Sequence, residues 1–348
     1  MGVTVPRAAR PGPRPLVPGG VLAVDAGNSK TDVALVAADG RVLGAARGGG
    51  FQPPLVGVRA AVDVVARIVE EAVAAAGLPA AAAGGADGGA PLVEHVSACL
   101  ANADLPVEEE QLEAAVHARG WGCSTKVAND TFAILRAGVD EPRGVAVVCG
   151  AGINCVGMLP DGRTARFPAI GRISGDWGGG SGLAEEALWF AARAEDGRGG
   201  PTALATTLPA HFGLDSMYAL IEALHLERIP GSRKYELTPV LFATSDAGDP
   251  VARSILDRQA DEIVALAAVA LGRLELLDEE ADVVLGGGVM AARNPYLMDA
   301  VHERLTARAP KARAHVVTAA PVLGAALLGM DHVGAPAEAH AALRAHYA

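Results

Sequence analysis

Two glycine-containing turns, each placed between two apolar runs, constrain the fold of this chain more than any other sequence feature. The first turn lies within residues 21–36 and contains Gly27, and the second lies within residues 145–158 and contains Gly150 and Gly152. Each segment reads as strand, tight turn, strand, and small residues at the turns let backbone N–H groups approach a ligand closely. Two such turns can hold a polyphosphate from two sides. The pattern therefore predicts an ATP-using α/β protein with a cleft between two related domains.

Length and charge favour two domains and argue against several classes of function. The 348 residues suit about two domains, and the formal net charge of −11 disfavours a general nucleic-acid binder. No apolar run reaches membrane-spanning length, and residues 1–20, rich in Pro, Arg and Gly, do not resemble a signal peptide. We therefore expect residues 1–20 to be a flexible extension of a cytoplasmic protein that binds neither nucleic acid nor membrane.

The order of predicted elements repeats in the two halves of the chain. In the first half we predict three strands over 21–25, 31–37 and 41–46, a helix over 59–76 and an Ala/Gly surface loop over 79–91. A strand over 94–100, a helix over 106–119, a strand over 124–128 and a short helix after 130 follow. In the second half we predict three strands, a helix, a helical insertion, and then helix, strand, helix and strand, over residues 144–149, 153–159, 163–168, 183–195, 201–245, 251–277, 281–285, 294–308 and 315–318. This repetition predicts two related α/β domains.

Two common nucleotide-binding motifs are excluded by the residues around these turns. A P-loop requires Gly directly before Lys-Ser/Thr, but Ser29 precedes Lys30 and Thr31. A Rossmann fingerprint requires a strand, a glycine-rich turn and a helix, whereas both turns here lead into another strand. The nucleotide is therefore expected to bind in a different geometry.

Residues of both turns are our candidate phosphate ligands. Backbone N–H groups, hydroxyls and one ammonium group are suited to phosphoryl oxygens. The candidates for ATP binding are Asn28, Ser29, Lys30, Thr31, Gly150, Ala151, Gly152 and Asn154. For Lys30, a solvated lysine at a strand edge is an equally good interpretation.

Two aspartates at predicted strand ends are candidates for the chemistry. Asp130 follows the strand over 124–128, where a carboxylate is able to orient a hydroxyl group and take its proton, although Asp is also a good helix N-cap. Asp25 ends the first strand and is our candidate for Mg²⁺, held directly or through water, with ordinary turn chemistry as the alternative. Asn102 and Asp104 follow another strand end and are expected to line the same cleft.

These motifs together resemble the actin-like ATPase and sugar-kinase superfamily, and within it the N-acetylglucosamine kinase and BadF/BadG/BcrA/BcrD ATPase family. The matching segments occur in the family's order over residues 21–330, namely residues 25–31, 129–130, 150–154, 175–176 and 285–288. The Arg- and Ala-rich composition and the loop over residues 171–180 further resemble the actinobacterial glucosamine kinase branch. The cysteines do not look placed for the iron–sulfur cluster of the activator ATPases.

The resemblance implies two actin-like, ribonuclease H-like α/β domains with an interdomain cleft, the second domain being larger. We expect the first domain over residues 21–140 and the second over residues 141–331, with the helical insertion near 201–245. A C-terminal helix over residues 332–348 is expected to pack on the first domain.

The resemblance also implies roles for further residues. It makes Asp130 the general base and, with Asn129 and Gly150, part of the substrate site. It implies sugar contacts for Asp176 and Gln52 and an adenosine site at Gly286, Gly287 and Gly288, while Gly178 and Gly179 leave room for ATP to approach the backbone. Local alternatives are a turn or capping role for Asp176, and a strand-to-helix turn that needs positive φ at residues 286–288.

The implied activity is transfer of the ATP γ-phosphoryl group to the 6-hydroxyl of glucosamine, with Mg²⁺ as the metal. Alternatives are N-acetylglucosamine or another hexose as acceptor, or a non-catalytic ATP- and sugar-binding sensor. The expected partners are ATP and a small amino sugar, and the helical insertion and exposed helices could support a homodimer.

Overall fold

The chain forms two compact units. The structure, a computed structural model, describes residues 14–83 and 89–348. One unit comprises the described residues up to Ala133 together with Ala320–Ala348, and the other comprises Ile134–Ala319. Residues 1–13 of the expected extension and residues 84–88 of the expected Ala/Gly loop lie outside the described residues.

Each unit contains a five-stranded mixed sheet. In the first unit the order is β3-β2-β1-β4-β5, from β1 (Val17–Ala26), β2 (Lys30–Val36), β3 (Val42–Gly49), β4 (Val93–Leu100) and β5 (Gly122–Asn129). In the second unit the order is β10-β9-β6-β7-β8, from β6 (Gly144–Cys149), β7 (Ile153–Met158), β8 (Thr164–Arg166), β9 (Ala281–Gly286) and β10 (Ala312–Val316). In both sheets the first three strands in sequence pair antiparallel, and the later strands run parallel to the first of them.

Helices connect the strands and cover the sheets. The first half has α1 (Pro53–Val56), α2 (Val58–Ala75), α3 (Pro106–His117) and α4 (Thr131–Gly138). The second half has α5 (Gly179–Glu195), α6 (Leu204–His211), α7 (Met217–His225), α8 (Leu237–Asp246), α9 (Pro250–Arg273), α10 (Gly288–Ala291) and α11 (Pro295–Arg308). The chain ends with α12 (Pro321–His332) and α13 (Ala337–Tyr347), and short 3-10 turns occupy Ala80–Ala83, Gly171–Ser174 and Gly231–Glu236.

Strand β1 is the middle strand of the first sheet, and helices cover both of its faces. On one face, Leu22 and Val24 belong to a core that includes the apolar stripe of α2, spaced three and four residues apart. On the other face, Gly329 of α12 approaches Val21 so closely that an added Cβ would lie 2.3 Å from Val21 Cγ1. Asp25 has the same strand parity as Val21 and therefore belongs to the α12 face.

The structure confirms the predicted fold class and the repeated order of strands and helices. Two boundaries differ. Strand β1 begins at Val17, inside the expected extension, because its first residue pairs with Val93. Helix α5 begins at Gly179, with Gly178 as N-cap, four residues before the predicted start at residue 183.

Two segments also differ from the expected division of the chain. Helix α12 belongs to the first unit, through the contact of Gly329 with β1, although the expected second domain ran to residue 331. The crossing into the second unit falls inside α4, after Ala133 and not after residue 140. Among the described residues, no helix is long and apolar enough to cross a membrane.

Candidate functional site

Asp25 and Asp130 lie at one edge of the first sheet because β1, β4 and β5 are parallel and end together. In the strand register Asp25 pairs with Cys99 on β4, and the N–H of Asp130 donates to the Leu100 carbonyl at 3.2 Å. Ligand sites of α/β folds form at this carboxyl edge of the strands. The structure thus brings together the predicted metal ligand and the predicted general base.

The two carboxyl groups have raised pKa values. Burial is the largest cause for Asp25, whose pKa rises to about 7, and the negative charges of Asp130 and Asp32 raise it further. Burial also raises the pKa of Asp130 to about 6, against a hydrogen bond from the backbone N–H of Thr131. Because the two groups interact, they titrate as a pair. Acids with such values near neutral pH are typical of functional sites.

Asp32 carries a carboxylate on the same face of the sheet as Asp25, and it was not among the predicted site residues. It lies opposite Asp25 in the antiparallel register and is 7% exposed. Arg47 on β3 binds it with two hydrogen bonds, of 2.5 Å from Nε and 3.2 Å from Nη2, and Lys30 Nζ lies 3.6 Å away. The sequence does carry one signal for Asp32: it lies two residues after the predicted phosphate ligand Lys30, and residues two apart in a strand share a face.

The turn between β1 and β2 exposes three of its four predicted phosphate ligands. Asn28, Ser29 and Lys30 are exposed. Thr31 is fully buried, and its hydroxyl has no hydrogen-bond partner among the described residues. The Thr31 side chain points to the face opposite Lys30, because successive strand residues alternate. The structure therefore places this hydroxyl in the interior, away from its exposed neighbours.

Three predicted amide side chains meet beside this turn. Gln52 Nε2 donates to the Asn28 main-chain carbonyl at 2.9 Å, and Asn102 Nδ2 donates to Asn28 Oδ1 at 3.0 Å. Asn28, assigned by sequence to ATP, is therefore in direct contact with two residues assigned to the sugar.

Asn129 supports its neighbours from a buried position. Its Nδ2 donates to Asp104 Oδ1 at 2.8 Å, and its Oδ1 accepts from the Thr131 N–H at 3.0 Å, at the start of α4. Asn129 is 2% exposed. Asp130 itself occupies the N-cap position of α4, so both interpretations of this aspartate fit its place in the fold.

In the second unit, three predicted glycine segments come together. The N–H groups of Gly180 and Ser181 at the start of α5 donate to the carbonyls of Gly150 and Ala151 at 2.8 and 2.9 Å. The turn after β9 also reaches β6, because a Cβ on Gly287 would lie 2.3 Å from the Cys149 carbonyl oxygen. The turn after β6 thus contacts both other segments.

Several of these glycines are required by the protein's own packing. Gly179 has φ +69°, and a Cβ there would lie 2.3 Å from the Gly152 carbonyl oxygen. A Cβ on Gly178 would lie 2.3 Å from Oε1 of Gln259, and one on Gly286 would lie 2.7 Å from Ile134. Gln259, which sequence analysis missed, is fully buried on α9, and its Oε1 accepts from the Gly179 N–H at 2.9 Å.

Other glycines border open space. A Cβ on Gly150, Gly152 or Gly288 would have nothing within 4 Å among the described residues. Packing within the unit does not explain glycine at these three positions, and each leaves room for a ligand against the backbone. Asn154, on β7, accepts the Cys155 N–H at 2.7 Å through Oδ1.

Asp176 and Trp177 line a cavity of about 220 Å³, together with Gly152, Arg172, Ser181, Glu185 and neighbouring residues. Asp176 Oδ2 accepts from the Gly171 N–H at 2.9 Å and from Ser174 Oγ at 2.6 Å, so this carboxylate also holds its own loop. The Trp177 ring is 8% exposed and carries the Arg258 guanidinium 4.1 Å above it.

The described residues contain no group of three or more His, Cys, Asp or Glu side chains that could hold a metal ion. Cys99, Cys149 and Cys155 are buried, and Cys123 is exposed. A magnesium ion held by one carboxylate, water and phosphate needs no such cluster.

The chain and its two mixed sheets are similar to sugar kinases. An N-acetylmuramic acid/N-acetylglucosamine kinase of Clostridium acetobutylicum is 26% identical over 295 residues, which is 84% of this chain and 92% of that protein. An N-acetyl-D-glucosamine kinase of Dictyostelium discoideum is 26% identical over 214 residues, 61% of this chain and 67% of that protein. A crystal structure assigned as an N-acetylglucosamine kinase of Chromobacterium violaceum has a TM-score of 0.66 at 23% identity, covering 89% of this chain and 98% of that one.

The sheets and these neighbours define an α/β protein of the actin-like, two-domain class. A sequence model of the BadF/BadG/BcrA/BcrD ATPase family matches residues 22–329. The chain therefore belongs to the BadF/BadG/BcrA/BcrD ATPase family.

Proposed function

We propose that this protein is an ATP-dependent hexosamine kinase that phosphorylates the 6-hydroxyl of glucosamine. The observation that carries the proposal is the position of Asp130 at the carboxyl edge of the first sheet, with its pKa raised to about 6 near Asp25. Membership of an ATPase family and the names of the relatives support a sugar as the phosphoryl acceptor.

Asp130 is the proposed general base. With a pKa of about 6 it is mostly ionised at pH 7, yet basic enough to accept a proton. The sugar oxygen forms a bond to the γ-phosphorus as the bond from that phosphorus to the β–γ bridging oxygen breaks, and ADP leaves. The hydroxyl proton passes to the Asp130 carboxylate.

The proposed ATP contacts are the exposed Asn28, Ser29 and Lys30 of the first unit and the open glycines of the second unit. A backbone without side chains at Gly150, Gly152 and Gly288 lets phosphate and nucleoside groups approach its N–H groups. Thr31, Gly178 and Gly179 are left out of the proposed ATP contacts, because Thr31 is buried and the two glycines are packed against the protein.

Asp25 fits a magnesium ion that is also bound to the phosphates of ATP. Its carboxylate is buried, and the nearby charges of Asp130 and Asp32 raise its pKa, so a cation would relieve a local excess of negative charge. When bound, Mg²⁺ neutralises charge on the transferred phosphoryl group. Asp32, held by Arg47, maintains the negative charge next to Asp25.

Gln52, Asn102 and Asp104 in the first unit and Asp176 in the second are the proposed sugar ligands. For glucosamine, the Asp176 carboxylate in the cavity of the second unit is the proposed partner of the ammonium group, whereas Glu185 in the same cavity pairs with Lys234 Nζ at 3.6 Å. N-acetylglucosamine is the second candidate, since the similar proteins from Clostridium and Dictyostelium carry names that include it.

A panel of sugars in an assay coupled to ADP release tests the proposal. The panel contains glucosamine, N-acetylglucosamine, N-acetylmuramic acid and glucose, and the product is analysed to locate the phosphate. We expect sugar 6-phosphate, fastest with glucosamine, and the preference for glucosamine should fade as pH rises through the pKa of its ammonium group. A higher kcat/KM for N-acetylglucosamine would select the second candidate. Tight sugar binding without any sugar phosphate would contradict the kinase and indicate a sensor.

A further inference from the structure

Asn28 joins the β1–β2 turn to two other loops of the first unit. Its main-chain carbonyl accepts a hydrogen bond from Gln52, which precedes α1, and its side-chain Oδ1 accepts one from Asn102, which follows β4. These bonds measure 2.9 and 3.0 Å. One exposed asparagine in the proposed phosphate-binding turn therefore contacts both loops that carry proposed sugar-binding amides.

The backbone fixes the same junction. The Phe51 N–H donates to the Gly27 carbonyl at 2.9 Å, and Asn102 Nδ2 also lies 3.3 Å from the Phe51 carbonyl oxygen. A Cβ on Gly50 would lie 2.1 Å from the Asn28 carbonyl oxygen, so only glycine allows the two segments to lie this close. A shift of the turn must therefore move the segment that carries Gln52.

Asn102 adopts a backbone conformation that its contacts have to hold. Its φ is +61°, in the left-handed region that asparagine tolerates better than most residues. Conformations of this kind persist where surrounding contacts determine them. The hydrogen bonds of Asn102 to Asn28 and to the Phe51 carbonyl are such contacts, and the side chain remains partly exposed to a ligand.

We propose that Asn28 is a positioning residue that couples occupation of the sugar site to occupation of the phosphate-binding turn. This inference rests on the proposed kinase function. A sugar hydroxyl bound to Gln52 or Asn102 restricts those amides, and they in turn restrict the carbonyl and side chain of Asn28. The turn then loses less conformational freedom when the triphosphate binds, so each ligand tightens the other by the same factor.

Isothermal titration calorimetry of the full chain measures this factor. The dissociation constant of a non-hydrolysable ATP analogue with Mg²⁺ is determined without sugar and with a saturating concentration of the panel sugar that has the highest kcat/KM. For the wild type we expect the sugar to tighten nucleotide binding about fivefold or more. In Asn28→Ala, which removes the acceptor for Asn102, the ratio should fall below about twofold.

Two further variants keep the test informative. Ser29→Ala, on the same turn, is the matched control: its nucleotide affinity is expected to weaken while the ratio stays at the wild-type value. Thermal denaturation shows whether Asn28→Ala is folded. If it is not, Gln52→Glu is used in its place, because it replaces the donor to the Asn28 carbonyl with an acceptor and should likewise lower the ratio.

The outcomes separate this inference from the proposed function. A wild-type ratio near one, or an unchanged ratio in the folded Asn28→Ala or Gln52→Glu variant, would overturn the coupling. Sugar-dependent ADP release by the wild type would still support the proposed kinase. Absence of sugar-dependent ADP release in the wild type would instead contradict the kinase itself.

Discussion

Asp25 has a pKa of about 7, raised first by burial and then by the negative charge of Asp130, which lies 105 positions away in the sequence. The parallel order of β1, β4 and β5 brings them to one edge of the sheet. The two groups have different proposed roles, one toward a metal ion and one toward a proton. Because the charge of Asp130 acts on Asp25, a change at Asp130 alters the charge state of Asp25.

Replacing Asp25 is expected to stabilise the metal-free protein at high pH. Its pKa is raised from 3.8 to about 7, so between these values the native state binds more protons than the unfolded state and the free energy of unfolding falls as pH rises. Asp25→Asn removes this cost and should raise the free energy of unfolding by about 4 kcal/mol at pH 8, with little change at pH 4. Urea unfolding measures this, with the exposed Glu70→Gln as control. An Asn variant less stable than wild type at pH 8 would contradict it.

The neighbouring Gly287 and Gly288 separate packing from ligand binding. Gly287→Ala forces a side chain into a left-handed position against the Cys149 carbonyl and should lower the free energy of unfolding by at least about 1–2 kcal/mol. Gly288→Ala places its methyl group in open space, so stability should be unchanged while nucleotide affinity weakens severalfold. Denaturant unfolding and nucleotide titration measure the two effects. Normal nucleotide affinity in Gly288→Ala would remove this residue from the proposed site.

Gln259 is expected to support the second unit's glycine segments. Gln259→Met leaves the Gly179 N–H without its buried acceptor and should cost about 1–3 kcal/mol of unfolding free energy. Because Gly180 and Ser181 follow directly and bind the turn after β6, the KM for ATP should also rise. The exposed Gln111→Met is the control for the chemical change. Wild-type stability and KM in Gln259→Met would show that this hydrogen bond does not position the turn.

The sequence predicts the local parts of this site and misses the parts that depend on tertiary packing. Asp25 and Asp130 are recognisable because each stands at the end of a predicted strand, and strand ends are local signals. Asp32 falls inside an apolar run, and its importance depends on the antiparallel register with Asp25. Gln259 lies 80 residues from the Gly179 N–H that it binds, and no local pattern marks such a contact.

Local sequence patterns also could not predict which face of the sheet the Thr31 side chain points to. Thr31 belongs to a motif whose other members are exposed, and its burial follows from strand alternation and from which face of β2 the core covers. Of the glycine motifs, the turns between β1 and β2 and between β6 and β7 were located correctly, whereas Gly179 and Gly180 belong to α5. Their division into packed positions such as Gly179 and open positions such as Gly150 requires the coordinates of α5 and β6.

His95 is expected to limit stability in acid. Burial, and then the neighbouring His332 ring stacked at 3.8 Å, lower the pKa of His95 from 6.5 to about 4, while the charge of Glu113 acts in the opposite direction. Between these values the unfolded state binds more protons, so the free energy of unfolding falls as pH decreases from 6.5 to 4. His95→Gln should remove about 2 kcal/mol of this dependence. Urea unfolding from pH 4 to 7 tests this against the exposed His302→Gln, and an unchanged pH slope in His95→Gln would refute it.

The pH dependence of catalysis follows from the same reasoning applied to Asp130. A general base must be ionised, so wild-type kcat/KM should rise with pH through about 6 and then level off. Because Asp25 titrates with Asp130, the apparent value belongs to the pair. A rate that falls as pH increases from 5 to 7 would contradict a carboxylate base.

The turnover of Asp130→Asn tests the proposed kinase mechanism most sharply. It is measured by sugar-dependent ADP release at saturating ATP and sugar, and nucleotide affinity is determined by calorimetry. The exposed Asp140→Asn is the control. We expect kcat to fall about 10²- to 10⁴-fold, while the dissociation constant for the nucleotide stays close to the wild-type value. Turnover within about threefold of wild type in a folded Asp130→Asn protein would contradict the assignment of Asp130 as the general base.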